Sequence, residues 1–406
     1  MAEWPKKTLG DLVTLQRGID LPAAKRAEGD VPIMGSFGVT GYHNEAAVPG
    51  PGVTVGRSGA SIGVVSYIER DYWPLNTCLY AKDFHGNNPR FAYYLLSTID
   101  LAHYNSGSAQ PSLNRNYIHP IPVAFPSRGE QDQIVSLLGA LDDKIEMSRR
   151  MNETLEAMAR AIFKDWFVDF GPTRAKAEGR NPYLAPEIWN LFPDALDDEG
   201  KPVGWETFTL ADLAQHHRAT LSPSTEPERT FEHYSIPAYD AGNEPTLDSG
   251  ESIKSNKTVV PEDAVLLSKL NPEIERVWLP NPKGKLLQVA STEFLAFTPL
   301  APATRAILFC LFKSEPFRVE MAAMVTGTSK SHQRVSPKSL LSREVLAADT
   351  RLIPAFDNMV NPFLNRILAN RRESRVLAQT RDLLLPKLMS GEIRLCEAEK
   401  VVEAVA

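Results

Sequence analysis

The chain has 406 residues, room for two or three domains, and its 43% hydrophobic and 23% charged content is that of a globular protein with ample core. No apolar run reaches the ~20 residues that span a bilayer, and the Met1 end, with Trp4, Pro5, Lys6 and Lys7, lacks a signal-peptide core, so no membrane association is expected. The three cysteines (Cys78, Cys310, Cys396) are scattered, odd in number and without metal spacing, which points to buried thiols and a cytoplasmic setting; the net charge of -6 speaks mildly against nucleic acid, but only as a sum that can hide basic faces.

Taken in order, the chain opens with Trp4 and then Leu9-Gly10-Asp11-Leu12-Val13. A Gly-rich, β-branched region to about Tyr80 predicts short strands and turns; in it Val48-Pro49 precedes Val53, Val55 and Arg57, and Asn76-Thr77 follows. A helical run, Arg90 to Leu96, leads to a polar loop from Asn105 to Arg115.

Next comes a heptad seam: Ile134, Leu138, Leu141, Ile145, Ser148, Asn152, Leu155, Ala159, Ile162, Trp166. Spacings of four and three alternate without a break, which predicts one helix about 50 Å long with a single apolar stripe. Ser127 and Glu130 stand ahead of it at capping-box spacing. A segment rich in Pro, Gly and acids, Gly171 to Gly204, reads as an ordered connector.

The second half repeats the first. Gly204-Trp205 and Leu210-Ala211-Asp212-Leu213 echo the opening at offset 201, and Val260-Pro261 with Val265, Leu267 and Lys269 follows at 212. Ser291-Thr292 comes at 215, Ala306 to Phe312 at 216, and Gly327 answers Gly107 at 220. At 222 lies a second heptad seam: Phe356, Val360, Phe363, Ile367, Asn370, Ser374, Leu377, Arg381, Leu384, Leu388. Offsets that climb in one direction are the mark of a diverged duplication. The polar break falls at the same two places in both seams, and antiparallel packing about the midpoints 150 and 372 would bring Ser148 near Ser374 and Asn152 near Asn370. A buried polar pair penalises other registers. Pro362 either starts the second helix, with Asn361 as N-cap, or kinks it. The predicted fold is α+β: two duplicated α/β units separated by an antiparallel coiled coil of two long helices, a pseudo-two-fold internal repeat. The boundaries are 1–126 and 204–348 for the units, 127–170 and 349–391 for the helices, 171–203 for the connector and 392–406 for a tail.

No catalytic constellation emerges. Asp194 with Glu199 and Lys201 imitates part of a nuclease signature, but within a linker. Asn181-Pro182-Tyr183 and Asn361-Pro362-Phe363 lack the second proline of an amino-methyltransferase motif, and the run Gly35 to Gly41 lacks nucleotide-binding spacing. There is no P-loop, and His216-His217 reads as a surface pair. The duplicated polar loops are the candidate site. Ser108, Gln110, Ser112, Asn114 and Arg115 in one copy, and Thr328, Lys330, His332, Gln333 and Arg334 in the other, are side chains able to read base edges. Arg57 with Ser58, and Lys269 with Asn271, sit at equivalent places and join them. Solvated turns would carry the same residue types.

The arrangement resembles the specificity (S) subunit of type I restriction–modification systems. The resemblance is carried by Gly204-Trp205 with Leu210 to Leu213 and their N-terminal echo, by Pro126 through Glu130-Gln131 into Ile134, by Phe163 to Phe170, and by Leu384 to Ile393. It implies two target-recognition domains held on paired helices, each reading one half of a split, asymmetric double-stranded DNA site. It also implies a subunit that is not itself catalytic. Two methyltransferase (M) subunits would carry S-adenosylmethionine, and restriction (R) subunits would carry ATP and Mg. Duplex DNA repeats about every 34–36 Å, so a helix pair of comparable length would act as a ruler for the gap between half-sites. By the same resemblance Trp166, Phe167 and Phe170 would be exposed anchors for an M subunit; the other reading makes them a cap on the coiled-coil core. Two further classes stay open: a structural adaptor that binds protein partners only, and a fused methyltransferase or nuclease.

Overall fold

A computed structural model describes residues 4–106, 112–282, 284–325 and 333–404. The chain forms two units, Met1–Met147 with Glu373–Ala406, and Ser148–Arg372. Each is a mixed α/β body built on the same plan.

In the first unit a ribbon pairs Lys6–Thr8 with Pro122–Ala124, so the two ends of the globular part are tied together. A four-stranded sheet runs Thr14–Arg17, Cys78–Asp83, Gly52–Gly56, Val65–Ile68, and a three-stranded sheet runs Gly38–His43, Val31–Gly35, Trp73–Pro74. In the second unit the ribbon is Glu206–Thr209 with Glu344–Ala348. The four-stranded sheet is Ala214–His217, Phe294–Pro299, Val265–Ser268, Val277–Trp278, in the same order. The other sheet keeps the order Thr246–Ser249, Thr230–Tyr234, Leu287–Ser291 and adds Lys257–Val259 and Thr220–Leu221 at one edge. The insertion that lifts the offset from 201 to 212 spans the two added strands.

Local chemistry repeats as well. Thr8 and Asp11 form a capping box ahead of Leu9–Leu12, and Thr209 and Asp212 form its copy ahead of Leu210–Leu213. Hydrogen bonds from the threonine hold both Asp carboxyls below the usual range. The helices Pro89–Thr98 and Arg305–Lys313 each lay an apolar face on their sheet: Phe91, Leu95 and Leu96 are buried in one, Ile307, Leu308 and Leu311 in the other.

The first long helix spans Arg128–Phe167 and the second Leu352–Ser390. Ser127 and Glu130 form the expected capping box, with the Ser127 hydroxyl 2.7 Å from the Glu130 carboxylate. Within the first unit the halves of the two helices run antiparallel: Asp142 meets Arg381 at 2.7 Å and Lys144 meets Glu373 at 2.5 Å. Leu138, Leu141, Leu377 and Leu384 are buried there, and Ile145 is half-buried. Within the second unit the same sense holds, with Asn370 donating from Nδ2 to Asn152 Oδ1 at 2.8 Å. Asn370 is buried and Asn152 half-buried. This is the pairing that the matched polar breaks predict.

Four expectations change. Trp166 and Phe167 are not exposed anchors; they are buried among Phe356, Phe192 and Phe163, while Phe170 is half-buried with its ring edge-on to Trp205 at 5.5 Å. They close the core at the end of the helix because the connector folds over them: Phe192 and Trp189 belong to it and are buried too. Pro362 does not start the second helix, which begins ten residues earlier at Leu352; Pro362 lies on the exposed side of a helix whose Val360 and Leu364 are buried. In the second unit the buried stripe keeps Ala159, Trp166, Phe356 and Val360 as predicted and widens by one residue on one side. Phe163 and Leu364 bury fully beside half-buried Leu155, Ile162 and Phe363, with Ile367 buried as predicted. A straight helix drifts against a strict heptad, and here the sheet-packing helix covers the adjoining face. Finally, His216 and His217 are half-buried strand residues: the His216 ring lies 5.2 Å from that of Phe297, and His217 Nε2 is 2.8 Å from the Thr298 hydroxyl.

The tail forms a helix, Leu395–Glu403, that joins the core of the first unit through Ala398, Leu395 and Val402. Cys78 and Cys310 are buried and Cys396 is exposed; burial pushes the Cys78 thiol up to about 12.

Candidate nucleic-acid interface

In each unit the central strand of the four-stranded sheet ends in a polar turn. The strand Gly52–Gly56 leads into Arg57, whose N–H donates to the Thr77 carbonyl at 2.9 Å. The Arg57 carbonyl accepts from Leu113 N–H at 2.8 Å, and Ser58 bridges Ser112. The strand Val265–Ser268 leads into Lys269, whose N–H donates to the Glu293 carbonyl at 2.9 Å. The Lys269 carbonyl accepts from Val335 N–H at 3.1 Å, and Leu270 bridges Arg334. These are one backbone clamp, made twice. Its partners differ by 212 and 222 residues, the offsets read from sequence; the third, Thr77 to Glu293, is 216, one more than the Asn76-Thr77 match predicts.

The clamp therefore brings the two sets of sequence candidates together in each copy. In the first, Arg57 and Ser58 lie against Ser112, and Arg57 Nη1 donates to the Asn76 carbonyl at 3.3 Å. Asn105 Oδ1 accepts from Ser112 N–H at 2.8 Å and shapes the turn. Asn114 is exposed, but its Oδ1 caps the short helix Arg115–Ile118. Arg115 is exposed on that helix beside Tyr117. Ser108 and Gln110 lie outside the described residues. In the second copy, Asn271 N–H donates to the Gln333 carbonyl at 2.9 Å, so Lys269, Asn271, Gln333 and Arg334 form one patch. Asn271 adopts φ +48°, a left-handed bend that Asn tolerates better than most residues. Thr328, Lys330 and His332 lie outside the described residues.

Two features had little sequence signal. Glu293 holds the Arg334 guanidinium in a fork, with Nε 3.0 and 3.2 Å and Nη2 3.0 Å from its carboxylate oxygens. It follows directly on Ser291-Thr292, so extending that repeat match by one residue would have reached it. Phe37 sits at the turn between Val31–Gly35 and Gly38–His43 and is 77% exposed. A Cβ on Gly56 would lie 2.4 Å from the Ser36 carbonyl oxygen, so this turn rests directly on the strand that carries Arg57. The nuclease-like set does not converge: Asp194 pairs with Lys176 at 3.1 Å, while Lys201 pairs with Glu199 at 3.0 Å. Among the described residues, no helix is long and apolar enough to cross a membrane.

Each of the two units is one copy of the same α/β plan and presents a clamped polar turn. Residues 1–157 match the family described as type I restriction modification DNA specificity domain. The type I restriction enzyme MjaIX specificity subunit of Methanocaldococcus jannaschii is 28% identical over 76% of this chain and 69% of its own length. The HindI specificity subunit of Haemophilus influenzae is 24% identical over 75% and 77%. The crystal structure of a type I restriction–modification S subunit from M. genitalium superposes with a TM-score of 0.58 at 16% identity, covering 95% of this chain and 96% of that one, and shows the shared fold. The first 157 residues thus match a DNA specificity domain, and the chain is similar over most of its length to specificity subunits of type I restriction–modification systems.

Proposed function

We propose that each unit reads one half of a bipartite, asymmetric site on double-stranded DNA through its clamped turn. The observation that carries this is the clamp itself: one backbone geometry made twice, with Arg57, Ser58 and Ser112 on one copy and Lys269, Asn271 and Arg334 on the other. A shared frame with different side chains is what two different half-sites require, because phosphate contacts position a protein and base-edge contacts specify. The chain would not be catalytic by itself. It would position two methyltransferase subunits, which hold S-adenosylmethionine, and restriction subunits, which use ATP and Mg, in the cytoplasm. The long helices would set the gap, so one heptad inserted in each would lengthen the gap and leave both half-sites unchanged.

The test is to co-express the chain with its methyltransferase partner and map methylated adenines across a host genome. A split motif with two distinct halves is the expected result. A complex that retains random and target duplexes equally, at salt high enough to strip phosphate contacts, would favour the protein adaptor instead.

A further inference from the structure

The two clamps differ most at one place. Where the first copy carries Thr77 and Ser112, the second carries Glu293 and Arg334. The Arg334 side chain is 44% exposed and that of Glu293 23%. The carboxylate engages Nε and Nη2 together, so the guanidinium plane is fixed against the protein while the side chain still faces solvent. An exposed ion pair contributes little to stability, so stability is a weak reason for this geometry. Orientation is a better one. A planar fork held in place loses less entropy when it meets a second planar acceptor. Guanine offers such an acceptor in the major groove, through O6 and N7. Lys269 and Asn271 belong to the same patch through their backbone bonds to Val335 and Gln333.

We infer that Arg334 reads a guanine in the half-site of the second unit and that Glu293 is its positioning residue. At the equivalent place the first unit carries Thr77 and Ser112, whose hydroxyls can donate or accept and so discriminate less between bases. This inference rests on the DNA-reading function proposed above and adds a base and two roles to it.

The experiment uses the full chain co-expressed with its methyltransferase partner, with the methylated motif as readout. Arg334→Lys keeps the charge and removes the fork. The expected result is a loss of guanine preference at one position of the second half-site, by roughly tenfold to a hundredfold, with the first half-site unchanged. Glu293→Gln should relax the same position by less. The reversed pair, Glu293→Arg with Arg334→Glu, keeps an ion pair and so tests a purely structural role. Guanine preference lost at unchanged thermal stability supports reading; an unchanged motif in the reversed pair or in Arg334→Lys overturns it. If the wild-type complex yields no motif at all, DNA reading itself falls, and this inference with it.

Discussion

The Asn152–Asn370 bond offers the sharpest test of what holds the long helices in place. Asn370 is buried and Asn152 half-buried, with a 2.8 Å bond between their side chains. Replacing Asn370 with Leu removes the donor and sets an apolar side chain against the Asn152 carbonyl. A stranded buried polar group costs about 1–3 kcal/mol, and partial exposure of Asn152 puts the cost near the lower end, about 1–1.5 kcal/mol. For a unit of this size that lowers the melting temperature by roughly 2–6 °C. The double variant Asn152→Leu with Asn370→Leu removes both partners, and burying two leucines should return the loss or exceed it. The assay is a double-mutant cycle by thermal and denaturant unfolding of the full chain. The expected coupling is about 1 kcal/mol or more. Single and double effects that add to within about 0.5 kcal/mol would refute a register bond and make the two amides independent.

Three further outcomes follow from the structure. Asp142 accepts from Tyr94 Oη at 2.5 Å and pairs with Arg381 at 2.7 Å, with side chains 21% and 29% exposed, so Asp142→Ala should destabilise the first unit by about 2–3 kcal/mol, less than for a fully buried pair; chemical denaturation measures it, and a loss under about 0.5 kcal/mol would make the cluster a solvated surface pair. Trp166→Ala should cost about 3–5 kcal/mol in the chain alone, and unchanged stability would return Trp166 to the role of a partner anchor. His119 accepts the Leu15 N–H through Nε2 at 3.0 Å, and burial, aided by Arg115, holds its pKa below the ordinary 6.5. The fold thus keeps the neutral ring: its contribution is intact above pH 6.5 and is lost as pH falls through the lowered value. The acid limb of a stability profile should flatten in His119→Gln, and an unchanged limb would assign the effect elsewhere.

The sequence by itself determined the duplication, the two long helices, their antiparallel sense and the Asn152–Asn370 match. Each of these is periodic or local: a heptad recurs every few residues, and a copied segment keeps its spacing even when its side chains diverge. It also pointed to Arg57, Ser58, Ser112, Lys269, Asn271 and Arg334 as polar turn residues, without joining them. Only the tertiary structure decided that Arg57 lies against Ser112 and Lys269 beside Arg334, because the bonds that join them close loops of more than fifty residues, with no spacing rule to announce them. The same holds for Trp166 and Phe167. Their exposure depends on whether the connector folds over them, and that is set by Phe192, with Leu184, Ile188 and Leu191, finding the same apolar core. Glu293 is the clearest case: its neighbours in sequence mark a repeat, but its role appears only once the clamp places it against Arg334, forty-one residues away.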